Sequence, residues 1–108
     1  MLIPENCRMF LVPEPVSGRF GIHKLMAQLS SNRFNVNWDG SEEIVIMTFN
    51  KKRTISKLLI VDDKGVSVVT RILNQGKFQV EFTENHIPKN LNRQMLESLF
   101  ISGKKLNS

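Results

Sequence analysis

Two β-rich runs joined by a tight turn set the frame of this chain. Ile55 to Asp62 and Val66 to Leu73 flank Asp63-Lys64-Gly65. Dense in Val, Ile and Leu and separated by a short Gly-containing loop, they read as two strands of an antiparallel hairpin. Lys57 and Arg71 stand inside these runs. Unpaired charge is costly to bury, so each must reach water or an anion. If Asp62 pairs with Val66, Lys57 falls opposite Arg71, a like-charge pair tolerable at a solvated rim and favourable around a phosphate. A turn shorter by one residue sets Lys57 opposite Thr70 and removes that argument.

The rest of the chain supplies elements to surround this hairpin. Met9-Phe-Leu-Val12 is a short apolar run stopped by Pro13 and Pro15, which suit an edge or a strand end. Ser17 is placed to cap a helix whose Ile22, Leu25, Met26 and Leu29 share one face. Asn32 to Ser41 reads as loop. Glu43 to Asn50 is an apolar, β-branched strand, and Lys77 to Thr83 alternates with Phe78, Val80 and Phe82 inward. After Pro88, Asn90 or Asn92 caps a last helix carrying Leu91, Met95, Leu96, Leu99 and Phe100 and ending at Gly103. The order is β-α-β-β-β-β-α. It implies an α+β fold: a twisted antiparallel β-meander of four to five strands with two packed helices.

A chain of 108 residues has room for one domain, residues 1–108. The single cysteine, Cys7, rules out an internal disulfide and leaves no thiol cluster for zinc. His23 and His86 do not share metal-ligand spacing with it. Asp62 and Asp63 are turn acids, and no Ser sits in a nucleophile elbow. No catalytic residue, metal or cofactor is expected. No apolar run approaches the roughly 20 residues that span a bilayer. The first residues lack the pattern of a secretory leader, so the cytoplasm is the expected location.

Charge is the remaining pointer. Lys and Arg number 15 against 10 Asp and Glu, a net charge of +5, which favours acidic partners. Lys51, Lys52 and Arg53 follow one another, with Lys57 close behind and no acid between. Such a loop suits phosphate contact, where each neutralised phosphate releases counterions and makes binding salt-sensitive. Arg19 lies near a helix start, a second place for an anion. No aromatic lies in the cationic run, and no helix carries the polar set that reads base edges, so backbone contact is the expected mode.

The same residues carry a family resemblance. Asn50-Lys-Lys-Arg-Thr-Ile-Ser-Lys57-Leu58-Leu59, Asp62-x-x-Gly65 and Arg71-x-Leu73-x-x-Gly76-Lys77-Phe78, in that order and spacing, resemble the small accessory protein of IS66-type insertion sequences, often called TnpB. Ser17-Gly18-Arg19-Phe20-Gly21 resembles the family's helix start, and Leu96-Glu97-Ser98-Leu99 before Gly103 its tail. Three departures stand out. Ser17 replaces an Asp, Val61 replaces the Trp that precedes Asp62, and Arg71-Ile72 replaces a Lys-Arg pair. Trp38-Asp39 does not correspond to the family's Trp-Asp.

The resemblance implies a non-catalytic helper of transposition, acting beside a separate transposase. Joined to the charge pattern, it nominates Arg19, Lys51, Lys52, Arg53, Lys57, Arg71 and Lys77 as a surface for DNA phosphates. The alternative is a protein-interaction module whose final helix docks on the transposase without touching DNA.

Overall fold

A run such as Ile44-Val-Ile-Met-Thr-Phe49, apolar at every position but Thr48, must have both faces covered. The computed structural model describes residues 3–105 and shows how this is done. The elements are β1 (Arg8–Pro15), α1 (Ile22–Ser30), β2 (Ile44–Phe49), β3 (Ile55–Val61), β4 (Val66–Ile72), β5 (Lys89–Asn90) and α2 (Arg93–Ser102). They form one sheet in the order β4-β3-β2-β1-β5. β2 lies at its centre, and all of its residues are buried. One core joins Phe10, Val12, Ile44, Ile46 and Leu59 to Leu25 and Leu29 of α1. On the opposite face Met47, Phe49, Leu58 and Ile60 meet Leu96, Leu99 and Phe100 of α2. The α+β class and the element order are those expected from the sequence.

The pairing departs from a pure meander. β2, β3 and β4 run antiparallel in sequence, but β1 pairs with β2 in parallel, Arg8 opposite Ile44 through Leu11 opposite Met47. A parallel pair needs a long crossover, and residues 16–43, which contain α1, provide one. The register of β1 shifts between Leu11 and Pro15, where the prolines enter. β5 covers only Phe10 and Leu11, so the proline end of β1 stands free of a second ladder.

Residues 77–83 are not a strand, contrary to their alternation. Phe78 and Val80 are buried and Lys77, Gln79 and Glu81 exposed, so the pattern reports burial correctly. Its amides, however, bond to separate elements. Phe78 N–H reaches Arg53 O at 2.8 Å, Gln79 N–H reaches Gly103 O at 2.7 Å, and Thr83 N–H reaches Pro13 O at 2.9 Å. Val80 N–H turns back to Phe78 O at 2.9 Å, which breaks the extended run. The segment crosses the α2 face of the sheet, and the fifth strand is β5.

The helix ends show one correction and two agreements. Gly21, not Ser17, occupies the N-cap of α1 and offers no side chain; Ser17 Oγ instead accepts from Arg19 N–H at 3.2 Å in the preceding turn. Asn92 caps α2 through Met95 N–H at 2.8 Å. Gly103 ends α2 in the left-handed region, φ 74°. A Cβ there would lie 2.8 Å from Leu73 Cδ1. Gly103→Ala therefore combines backbone strain with overpacking. It should lower stability by about 2–4 kcal/mol in a urea melt; an unchanged midpoint would refute this account of the cap.

Candidate nucleic-acid interface

The hairpin register decides how the cations are arranged. Val61 pairs with Val66 and Lys57 with Thr70, while Arg71 faces Ser56. Asp62 N–H closes the turn on Gly65 O at 3.0 Å, and Asp62 Oδ1 accepts from Lys64 and Gly65 N–H, both at 2.8 Å. This is the shorter-turn register, so the like-charge pair across the ladder does not form. Successive strand residues point to opposite faces. Lys57 accordingly lies on the α1 face, where its Nζ donates to Phe20 O at 2.6 Å. Arg71 lies on the α2 face and donates to Ile101 O at 2.7 Å. The structure does not bring these two together.

The β2–β3 loop does gather cations. Asn50 organises it: its Oδ1 accepts from Thr54 N–H at 2.9 Å and Ile55 N–H at 3.0 Å, and its own N–H reaches Ile55 O at 3.0 Å. Arg53 adopts φ 59° to close the loop. Lys51 and Lys52 are left exposed at the tip. Removing the Asn50 amide leaves two N–H groups in a half-buried loop without their acceptor. Asn50→Ala should cost about 1–3 kcal/mol in a denaturant melt; Asn50→Asp, which keeps the acceptor, should recover most of it.

Neighbouring segments dock on this tip and carry more charge to it. Leu73 N–H bonds to Thr54 O at 3.1 Å and Phe78 N–H to Arg53 O, which sets Lys77 beside the loop. Arg53 Nη1 donates to Val80 O at 3.3 Å, and its guanidinium lies 5.5 Å from the Phe82 ring centroid. From the other face, the turn bearing Arg19 lies against the loop. A Cβ on Gly18 would be 3.1 Å from Ile55 Cδ1 and 3.7 Å from Asn50 Cβ. Among the described residues, none of Arg19, Lys51, Lys52, Arg53, Lys57, Arg71 and Lys77 is in a salt bridge.

Two further cations reach this end of the molecule. Lys105 N–H bonds to Gln79 Oε1 at 2.9 Å, and Lys77 O lies 3.6 Å from a Cβ placed on Gly103. Lys104 and Lys105, both exposed, thus run beside residues 77–79 at the C-terminus of α2, where the helix dipole favours cations. Their position just past a glycine cap is the signal that sequence reasoning passes over.

Six of the ten acids lie at the opposite end of the strands, whereas Glu14, in contact with His86, stands at the basic end of β1. Glu5 precedes β1, Asp39, Glu42 and Glu43 precede β2, and Asp62 and Asp63 follow β3. Arg8 forms an ion pair with Glu42, which holds the guanidinium pKa above its usual value. Asp39 accepts from Ser41 and Glu42 N–H, which lowers its carboxyl pKa. Burial raises the pKa of the Cys7 thiol, whose Sγ donates to Pro4 O at 3.3 Å. Among the described residues, no group of three or more His, Cys, Asp and Glu side chains is placed to hold a metal ion.

A family model described as IS66 Orf2 like protein matches residues 7–107, nearly the whole chain. Comparisons with curated proteins and with solved structures gave no match. The match spans every element of the fold, the cationic loop and the lysines after Gly103, and the chain thus belongs to the IS66 Orf2-like family, a family of transposition-associated accessory proteins.

Proposed function

We propose that this protein assists transposition without catalysing a step, by holding DNA through its phosphates at the basic end of the sheet. The observation that carries the reading is the loop 51–54, with Arg19, Lys77, Lys104 and Lys105 drawn to the same end and, among the described residues, no acid in a salt bridge with any of them. Cations left without local partners retain their full attraction for a polyanion, and each phosphate neutralised releases counterions. Lys51 and Lys52 are the leading contacts. Arg53 and Lys77 flank them, while Lys57 and Arg71, tied to backbone carbonyls on opposite faces, contribute mainly to the field.

The alternative, in which α2 docks on the transposase, has less support. The Leu96, Leu99 and Phe100 stripe of α2 is already buried against the sheet. Docking would have to use the outer face bearing Gln94, Glu97 and Ile101, on which Ile101 is the one exposed large apolar side chain. Among the described residues, no helix is long and apolar enough to cross a membrane, and a cytoplasmic site of action at DNA fits this reading.

Fluorescence anisotropy with a labelled duplex tests the proposal. Affinity should fall at least about tenfold between 50 and 200 mM salt and be similar for unrelated sequences. Absence of binding at the lower salt, with co-purification of the transposase, would favour the alternative.

A further inference from the structure

The sheet ends in an unguarded strand. β4, a run of 7 residues, pairs with β3 on one side only and is the edge of the sheet. Its register with β3 is continuous from Val66 to Ile72, without a bulge. It contains no proline, and Arg71 is its one charge. Natural edges are usually blunted by bulges, prolines, charges or a covering element.

The outward groups can be named. Leu73 N–H bonds to Thr54 O and Asp62 N–H to Gly65 O, so the odd-numbered residues of β4 face β3. Val66, Val68, Thr70 and Ile72 therefore turn their N–H and C=O groups away from the sheet. No hydrogen bond to these outward groups is found among the described residues. The edge is also apolar at its Ile72 end: Ile72 is 63% exposed, and Ile101, 53% exposed, stands beside Val69 and Arg71 on the α2 face.

We infer that β4 is the interface of a symmetric dimer in which a second copy of this chain adds its own β4 antiparallel to the first. Three features point to a second copy. An antiparallel join centred on Val69 pairs Val66 with Ile72 and Val68 with Thr70 of the other chain, so every outward backbone group finds a partner. The same register sets Arg71 opposite Ser67 and avoids a like-charge pair. The charge separation along the strands then becomes complementary. The acidic turn after β3 in each copy lies toward the Arg71–Lys77 end of the other, whereas a parallel join would set like ends together. Ile72 meets Val66 of the second copy, and both Ile101 side chains lie on the same side of the join.

Sedimentation of the full chain from about 1 μM to 1 mM should show a monomer–dimer equilibrium. Thr70→Pro removes an outward N–H and leaves the β3 ladder intact, so it should weaken the dimer at least about tenfold with an unchanged circular dichroism spectrum. A second measurement does not depend on how that variant folds. In a Cys7→Ser background, Val69→Cys sits opposite itself and should oxidise to a disulfide-linked dimer, while Ile87→Cys, more exposed (62%) but outside β4, should not. A monomer throughout the concentration range, equal crosslinking at both positions, or a Val69→Cys protein that crosslinks only to the transposase would overturn the inference.

Discussion

Replacing Lys51, Lys52 and Lys77 together by alanine should reduce affinity for duplex DNA by roughly 10²–10³-fold at about 0.1 M salt. The magnitude follows from counterion release, since each phosphate no longer neutralised takes about 0.9 off the slope of log K against log salt. The slope should therefore flatten by close to 3 units, whatever the sequence of the duplex. These three side chains are exposed and make no hydrogen bond or salt bridge among the described residues, so the fold should be untouched. Arg53 is left out because it closes the loop at φ 59° and bonds to Val80 O. Lys64→Ala, at the acidic end, is the control and should change affinity less than about twofold. An equal loss from Lys64→Ala would mean that net charge alone governs binding and that the loop has no special place in it.

Phe78→Ala should be the most damaging single change to stability, costing about 3–5 kcal/mol and lowering the melting temperature by roughly 15–30 °C. Phe78 is 1% exposed and packs against Phe49 with ring centroids 5.4 Å apart. It is also the anchor of residues 77–83, which have no ladder to hold them. Its loss leaves a cavity below the basic loop and frees the segment that positions Lys77. A protein of this size has about 5–15 kcal/mol in total, so the variant should be marginal at 37 °C. Phe82→Ala, on a half-buried ring at the end of the same segment, should cost less than half as much in the same calorimetric scan. Equal effects would mean that the segment is held along its length and not by one anchor.

The sequence is informative wherever a local rule and the global packing agree. β2, β3, β4 and α2 are legible because apolar runs, an Asp–Gly turn and the Asn92 and Gly103 caps all point the same way. Lys77 to Thr83 misleads because alternation records which side chains are buried, not which neighbour takes the backbone hydrogen bonds. The parallel join of β1 and β2 is hidden because strand direction depends on the path of residues 16–43, and no side chain announces it. Of the nominated cations, Lys51 and Lys52 lie where the loop requires. The positions of Lys57 and Arg71 turn on one residue of hairpin register, which composition cannot set. Lys104 and Lys105 escape notice because their nearness to Lys77 arises only when α2 crosses the sheet.

Positive and negative poles set at opposite ends of β2 give this small molecule an electric moment along its strands. A rod of phosphates exerts a torque on such a body before any contact, within a Debye length of about 8–10 Å at ordinary ionic strength. On the proposed reading, the protein swings round and arrives loop first, with its acidic pole trailing toward solvent. Added salt should then slow capture far more than it hastens release.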